Sequence, residues 1–240
     1  MKCFDKSKIL KTPKVILFDT DNTLYDYYPA NLAAEEASCK KAKNLLGINN
    51  QTFYKYYKKA RKDVKQNLSK TASSHSRLLY FQRMIELLGY RSQLLLALDL
   101  EQTFWRTFLA HSFLFPGVKE TLLFLRRKNI PIGVVTDLTA HIQLRKLTYF
   151  GLEDTFDAVI TSEEVGCDKP DKKNFLFLLD KLNLKHDSYF WMIGDDQEAD
   201  IFGAKSLGAS TFQKIHSRVD LGQNNFQPDY SFKNYWELLN

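Results

Sequence analysis

The residues best suited to chemistry in this sequence are five aspartates that follow two short apolar runs. They are Asp19, Asp21, Asp195, Asp196 and Asp200. Carboxylates that approach one point repel each other unless a cation neutralises them. A hard divalent ion with oxygen ligands is the natural partner, and Mg²⁺ suits a site that also receives a phosphate oxygen. The aspartates therefore predict a magnesium-dependent reaction on a phosphorylated substrate.

Groups that bind phosphate stand at two other places in the sequence. Thr136 and Asp137 follow the apolar run Ile132–Val135, where a turn offers a hydroxyl and backbone N–H groups to phosphate oxygens. Lys169 comes just before Pro170, and its ammonium could hold a phosphate and a nucleophile together. Electrostatic clamping of this kind carries most of the catalysis in phosphoryl transfer. We therefore predict phosphate-binding roles for Thr136, Asp137 and Lys169.

The elements that position these residues follow from the apolar pattern. Four short runs predict strands buried on both faces: Val15–Phe18, Ile132–Val135, Ala158–Ile160 and Tyr189–Ile193. Helical periodicity marks the segments 118–128, 140–149, 172–182 and 198–207. This alternation predicts an α/β fold with a doubly wound, parallel-sheet, Rossmann-like core. Because ligands bind beyond the carboxyl ends of such strands, the acids and the phosphate-binding residues are expected in one crevice.

A long helical region separates the first two predicted strands. It contains helical stretches at 30–46, 52–68, 76–88 and 92–111, and no comparable strand. Roughly ninety residues of helix is too much for one crossover connection. We therefore predict an inserted all-helical cap domain at 26–114 and a catalytic core made of 1–25 and 115–240. Its edges are expected near Tyr27–Pro29 and Phe113–Gly117, where proline and glycine favour turns or hinges.

Composition limits the partners and the compartment. The sequence is 44% hydrophobic, which is enough for a packed core. Its longest apolar runs fall far short of the roughly 20 residues of a membrane span, and the basic lead-in at 1–14 lacks the apolar stretch of a secretory signal. Three cysteines without close pairing argue against a disulfide framework or a zinc site and favour the cytoplasm. The net charge of +6 does not choose between anionic metabolites and larger acidic partners.

One basic segment, Tyr54–Lys62, has two interpretations. It interleaves tyrosines with lysines and could form a nucleic-acid surface or the solvated face of an amphipathic helix. We favour the helix, and we expect no nucleic-acid partner. The oligomeric state is left open.

The order of the chemical residues resembles the haloacid dehalogenase-like (HAD) hydrolase superfamily. The resemblance spans about residues 14–210 and rests on Asp19-x-Asp21-x-Thr23, then Thr136, then Lys169-Pro170, then Gly194-Asp195 with Asp200. Each of these motifs is weak by itself, because Asp is common in turns. All four in the expected order form a specific pattern.

The resemblance implies a role for each residue. Asp19 would be the nucleophile that forms an aspartyl-phosphate, and Asp21 would protonate the leaving oxygen and then activate water. Mg²⁺ would be held by Asp19, Asp195 and the backbone carbonyl of Asp21. Supporting roles would fall to Thr23, Asp196 and Asp200. From the residues alone, Asp196 could also be a surface residue, and Asp200 an acid of a first helical turn.

Within the superfamily, Phe18–Tyr25 and Ser162–Gly166 resemble the nucleotidase and sugar-phosphate phosphatase branch, whose members carry a helical cap. This implies a small phosphate monoester as substrate, either a nucleoside monophosphate or a sugar phosphate. Asp21 argues against dehalogenation, because true haloacid dehalogenases lack an acid at that position. Asp137 departs from the Asn that is common in these phosphatases. Its negative charge would weaken phosphate binding unless the side chain points away.

Two other functions fit the same residues. A phosphomutase of the β-phosphoglucomutase type would pass the phosphate from Asp19 to a sugar and release little free phosphate. A non-catalytic binding or regulatory protein could retain the same fold. Salt-sensitive nucleic-acid binding without Mg²⁺-dependent hydrolysis would identify the second of these.

Overall fold

The chain forms two compact units in its computed structural model, which describes residues 1–4 and 11–239. Unit 1 comprises Met1–Asp26 and Phe113–Asn240, and unit 2 comprises Tyr27–Ser112. Part of the predicted lead-in at 1–14 lies outside the described residues. Among the described residues, no helix combines the length and the apolar character needed to cross a bilayer.

Unit 1 is built on one seven-stranded sheet. Its strands are β1 (Lys2–Cys3), β2 (Val15–Phe18), β3 (Ile132–Thr136), β4 (Ala158–Thr161), β5 (Phe190–Gly194), β6 (Ser210–Lys214) and β7 (Tyr230–Phe232). The order across the sheet is β1-β7-β6-β5-β2-β3-β4. Every neighbouring pair is parallel except β1 and β7. The predicted doubly wound α/β class with a parallel core is confirmed.

Nine α-helices accompany the strands in the described part of the chain. Unit 2 contains α1 (Tyr27–Leu46), α2 (Asn50–Asn67), α3 (Arg77–Leu87) and α4 (Leu94–Ala110); unit 1 contains α5 (Val118–Arg127), α6 (Ala140–Tyr149), α7 (Ser162–Val165), α8 (Lys172–Lys181) and α9 (Gly203–Lys205). In unit 1, Phe175 and Leu178 of α8 pack with Leu17 of β2 and Met192 of β5 in the buried core. This core fixes the strands whose ends carry the acids.

The structure differs from the sequence prediction at three strands and two helices, one of which is the short α7, which the sequence does not predict. The sequence does not predict β1, β6 or β7. The prediction relied on apolar runs, whereas β6 is buried but consists mostly of polar residues. Gln213, for example, donates to the carbonyls of Asp195 and Asp220 at 2.8 and 3.1 Å. The helix predicted at 198–207 is a π-helical turn, Gln197–Phe202, followed by α9. Pro29, expected in a hinge, lies in the first turn of α1, where a missing N–H costs nothing.

Unit 2 has an aromatic core of its own. Tyr80, Phe104 and Trp105 are buried, and the guanidinium of Arg77 lies 5.2 to 5.5 Å from the centres of their rings. The segment Tyr54–Lys62 lies on α2, whose buried residues recur at helical spacing: Phe53, Tyr57, Ala60 and Val64. The segment is therefore part of an amphipathic helix.

Candidate active site

The carboxyl ends of three neighbouring strands form the candidate site in unit 1. Phe18 of β2 pairs with Val134 of β3 on one side and with Ile193 of β5 on the other. The ladder continues for one more bond, because the Asp19 N–H donates to the Ile193 carbonyl at 2.9 Å. Asp19 therefore starts at the sheet edge, between the loops that follow β3 and β5.

Lys169 joins the acids of this edge. Its Nζ donates to Asp19 Oδ1 at 2.7 Å, to Asp200 Oδ1 at 2.6 Å and to the Val135 carbonyl at 3.0 Å, which uses all three N–H donors. The side chain is only 2% exposed. Burial alone would lower the pKa of Lys169, but the carboxylates of Asp19, Asp200 and Asp137 outweigh it and hold the pKa well above its ordinary value. Lys169 is therefore a fixed positive charge.

Three carboxylates converge beside this ammonium. One oxygen each from Asp19, Asp195 and Asp200 lies within 4.8 Å of the others. Burial raises the pKa of all three acids, and repulsion by Asp19 and Asp200 adds to it for Asp195. The pKa of Asp200 is about 8, since burial outweighs the attraction of Lys169. A cluster of hard oxygen donors whose ionised forms repel each other fits a divalent ion such as Mg²⁺.

The hydrogen bonds separate possible ligands from support. Asp200 accepts from Lys169 with Oδ1 and from the Asp196 N–H with Oδ2 at 3.1 Å, so both of its oxygens are engaged. The Asp195 side chain accepts one bond among the described residues, from Thr23 Oγ1 at 3.3 Å. Thr23 Oγ1 also donates to Asp19 Oδ2 at 3.1 Å. Asp195 thus has the most acceptor capacity left for a cation.

The Asp21 side chain lies outside that carboxylate cluster. Its Oδ1 accepts from Tyr25 Oη at 2.5 Å, and Lys146 Nζ reaches Oδ1 and Oδ2 at 2.8 and 2.9 Å. The carboxyl group is therefore directed toward Lys146 and Tyr25. A contribution of Asp21 to a metal ion would have to come from its backbone carbonyl, which is the role that the family resemblance implies.

Thr136, the last residue of β3, has its hydroxyl already placed. Gln143 of α6 donates from Nε2 to Thr136 Oγ1 at 2.8 Å and to the Asp137 carbonyl at 2.7 Å. The Thr136 and Thr20 hydroxyls are 2.7 Å apart and share a hydrogen bond. Gln143 thus ties the start of α6 to the strand end, which fixes the turn expected to bind phosphate.

The Asp137 carboxylate faces the backbone of the Lys169 loop. Its Oδ1 accepts the Lys169 N–H at 2.9 Å. Burial raises the pKa of Asp137 to about 6, against the opposing attraction of Lys169. The side chain therefore holds two loops together, and it takes up a proton at a higher pH than an ordinary aspartate does.

Asp196 and Gly194 shape the loop that follows β5. The exposed Asp196 accepts the N–H groups of Glu198 and Ala199 with Oδ1 at 2.8 and 2.7 Å, and so caps the π-helical turn. A Cβ on Gly194 would lie 2.3 Å from Asp200 Oδ2. Only glycine lets Asp200 reach Lys169 here.

The sequence prediction missed four residues that support the site: Tyr25, Gln143, Lys146 and Tyr235. Gln143 and Lys146 leave a signal, because they are polar residues three apart on the buried face of α6. Tyr235 leaves none. Its hydroxyl donates to the Thr23 carbonyl at 2.8 Å across 212 residues of sequence.

Comparisons with known proteins identify relatives of this chain. Residues 13–208 match a family model described as haloacid dehalogenase-like hydrolase. The chain is 41% identical over 197 residues to a ribulose-1,5-bisphosphate 5-phosphatase of Halopiger xanaduensis, covering 82% of each chain. It is 28% identical over 229 residues to a glyceraldehyde 3-phosphate phosphatase of Methanopyrus kandleri, covering 94% of this chain and 95% of that one.

A solved structure also resembles the chain. It is a HAD phosphatase from Thermococcus onnurineus, with a TM-score of 0.70 and 25% identity. The match covers 93% of this chain and 95% of that one. The likeness therefore extends over nearly the whole length of both proteins.

Proposed function

We propose that this chain, which belongs to the haloacid dehalogenase-like hydrolase family, hydrolyses the phosphate monoester of a small phosphorylated metabolite. The observation that carries the proposal is the buried contact between Lys169 Nζ and Asp19 Oδ1 at 2.7 Å, beside the carboxylates of Asp195 and Asp200. A carboxylate fixed next to a positive charge and a cation site is equipped to attack phosphorus.

In the first step, a carboxylate oxygen of Asp19 forms a bond to phosphorus while the bond between phosphorus and the leaving oxygen breaks. Asp21 gives its proton to that leaving oxygen. Lys169 holds Asp19 in place and balances charge on the phosphoryl oxygens, and Thr136 donates to one of them. The alcohol leaves and the phosphoryl group remains on Asp19.

In the second step, water attacks phosphorus and Asp21 takes its proton. The bond between Asp19 and phosphorus breaks, which restores the carboxylate and releases inorganic phosphate. Asp21 ends protonated, ready for the next cycle.

Mg²⁺ is the proposed cofactor. Asp19, Asp195 and the Asp21 backbone carbonyl would hold it, and Asp200 would support them through Lys169. When bound, the ion neutralises charge on the carboxylates and on the phosphate.

For the substrate we favour a sugar phosphate over a nucleoside monophosphate. The ribulose-bisphosphate and glyceraldehyde-phosphate phosphatases match most of this chain, and both of their names specify phosphorylated carbohydrates. The helical cap domain predicted at 26–114 and the cytoplasmic location stay predictions from the sequence.

The test is release of inorganic phosphate from 4-nitrophenyl phosphate and from a panel of sugar phosphates and nucleoside monophosphates, with Mg²⁺ or with EDTA. Asp19→Asn should lower turnover at least about 1,000-fold, because it removes the nucleophile. Asp187→Asn, at an exposed position, is the matched control. Near-normal turnover by the Asp19 variant would remove Asp19 from this role. Isomerised sugar phosphate with little free phosphate would instead identify a phosphomutase.

A further inference from the structure

Lys146 is a buried lysine with no place in the phosphate-binding and magnesium-binding sets described above. Its side chain is 1% exposed, and its Nζ lies 2.8 and 2.9 Å from the two carboxylate oxygens of Asp21. Burying an ammonium is costly unless a carboxylate compensates it. Lys146 and Asp21 are therefore held to each other in the folded protein.

The contacts on Asp21 are divided unequally between its two oxygens. Oδ1 accepts from Tyr25 Oη at 2.5 Å and from Lys146 at 2.8 Å, with Thr20 Oγ1 more distant at 3.4 Å. Among the described residues, Oδ2 accepts only from Lys146. Since a carboxylate oxygen offers about two acceptor sites, Oδ1 is saturated and Oδ2 keeps one site for another partner.

The groups that hold Asp21 are themselves fixed by packing. Tyr25 is fully buried, and its ring centre lies 5.0 Å from that of Phe150. Lys146 extends from α6, where Gln143, one turn earlier, is tied to Thr136. The orientation of the Asp21 carboxyl group is thus set by side chains that have little freedom to move.

We propose that Lys146 is a positioning residue that, together with Tyr25, orients the Asp21 carboxyl group so that Oδ2 exchanges the proton in both steps. The inference rests on the proposed function. The proton passes from Oδ2 to the leaving oxygen as the ester bond breaks, and from water to Oδ2 as the aspartyl-phosphate is cleaved. Lys146 touches neither substrate nor phosphate; it acts through Asp21.

The test uses the dependence of kcat/KM on the leaving group. A series of phosphate monoesters runs from 4-nitrophenyl phosphate, whose leaving group needs no proton, to simple alkyl phosphates, whose leaving groups need one. The intact enzyme should show a shallow dependence. Lys146→Met should steepen this dependence, so that kcat/KM falls by at least about tenfold more for the alkyl esters than for the nitrophenyl ester. Tyr25→Phe should act in the same direction.

Lys181→Met is the matched control, because Lys181 also bonds a carboxylate, that of Glu164 at 2.7 Å, away from the site. Its leaving-group dependence should equal that of the intact enzyme. The leaving-group dependence of kcat/KM in Asp21→Asn should be at least as steep as in Lys146→Met. Adding Lys146→Met to Asp21→Asn should not steepen it further, because both substitutions remove the same function.

Two results would overturn the proposal. One is an equal loss of kcat/KM for all esters in Lys146→Met, and the other is a loss in the variant with both Asp21→Asn and Lys146→Met that equals the product of the two single losses. If Lys146→Met does not fold, as judged by thermal melting, Tyr25→Phe decides by the same criterion. The Asp19→Asn variant separates the two levels of inference. Turnover by that variant contradicts the proposed function, whereas an inactive Asp19 variant with an unchanged slope in Lys146→Met contradicts the positioning role alone.

Discussion

At the scale of single residues, Asp137 shows how burial makes a carboxyl group sensitive to pH. Burial raises its pKa from 3.8 to about 6, although Lys169 attracts it. The folded protein therefore binds this proton more tightly than the unfolded chain does. Folding stability from this group is fully present below about pH 4 and is lost as the pH rises through about 6.

Asp137→Asn should remove this dependence, because the amide oxygen can still accept the Lys169 N–H. We expect the variant to be more stable than the natural protein at pH 8, by at most about 3 kcal/mol, and to show no gain at pH 4. Urea unfolding from pH 4 to pH 8 measures the difference, with Asp187→Asn as the control. A gain that is equal at both ends of this range would contradict the assignment.

The sequence predicts those site residues that directly follow apolar strands. Asp19 and Asp195 follow apolar runs, and strand ends of a parallel sheet share an edge, so their approach follows from the pattern. The contacts of Asp21 do not follow, since Lys146 reaches it from a helix 125 residues away. Nothing near either residue in the sequence specifies the other.

At the scale of elements, the end of β5 depends on the absence of one side chain. A Cβ on Gly194 would meet Asp200 Oδ2 at 2.3 Å and Asp200 Cβ at 2.5 Å. Gly194→Ala should therefore push Asp200 away from Lys169, lower the free energy of unfolding by about 1–3 kcal/mol and reduce turnover.

The control is Gly47→Ala, which has open space around it but a φ of +66°. It should cost about 1 kcal/mol through backbone strain and keep its turnover. Urea unfolding and phosphate release measure both variants. A Gly194 variant with normal stability and turnover would show that the loop after β5 adjusts freely.

The sequence predicts a strand where its buried residues are also apolar. β2 is apolar and fully buried, and the sequence predicts its bounds, Val15–Phe18. β6 is just as buried but contains Ser, Thr, Gln and Lys, whose polar groups find partners only in the folded state. The π-helical turn is not predicted for another reason. The N–H groups of Asp200 and Ile201 both donate to the Asp196 carbonyl, and apolar periodicity does not indicate this local hydrogen-bond pattern.

At the scale of the whole molecule, the carboxylate cluster links stability to the cation. Asp19, Asp195 and Asp200 repel each other in the folded state, and an ion that binds there stabilises only that state. Mg²⁺ should therefore raise the thermal midpoint of the natural protein, and EDTA should reverse the shift.

Asp195→Asn should reduce this response, because it removes the acid with the most acceptor capacity left. Without Mg²⁺ the variant should melt at a higher temperature than the natural protein, since one repelling charge is gone. Thermal melting with and without Mg²⁺ measures both effects, and Asp187→Asn should respond as the natural protein does. An unchanged Mg²⁺ response in the Asp195 variant would place the ion elsewhere.

The hydrogen bond from Tyr235 to the Thr23 carbonyl has a consequence for folding during synthesis. A ribosome makes Thr23 212 residues before Tyr235, so the loop that carries Asp21 lacks this hydrogen bond until Tyr235 has been made. A nascent chain can assemble its strands in order and still not have its catalytic loop fully supported. Full support of this loop therefore begins only after Tyr235 has been translated and its hydroxyl has reached the Thr23 carbonyl.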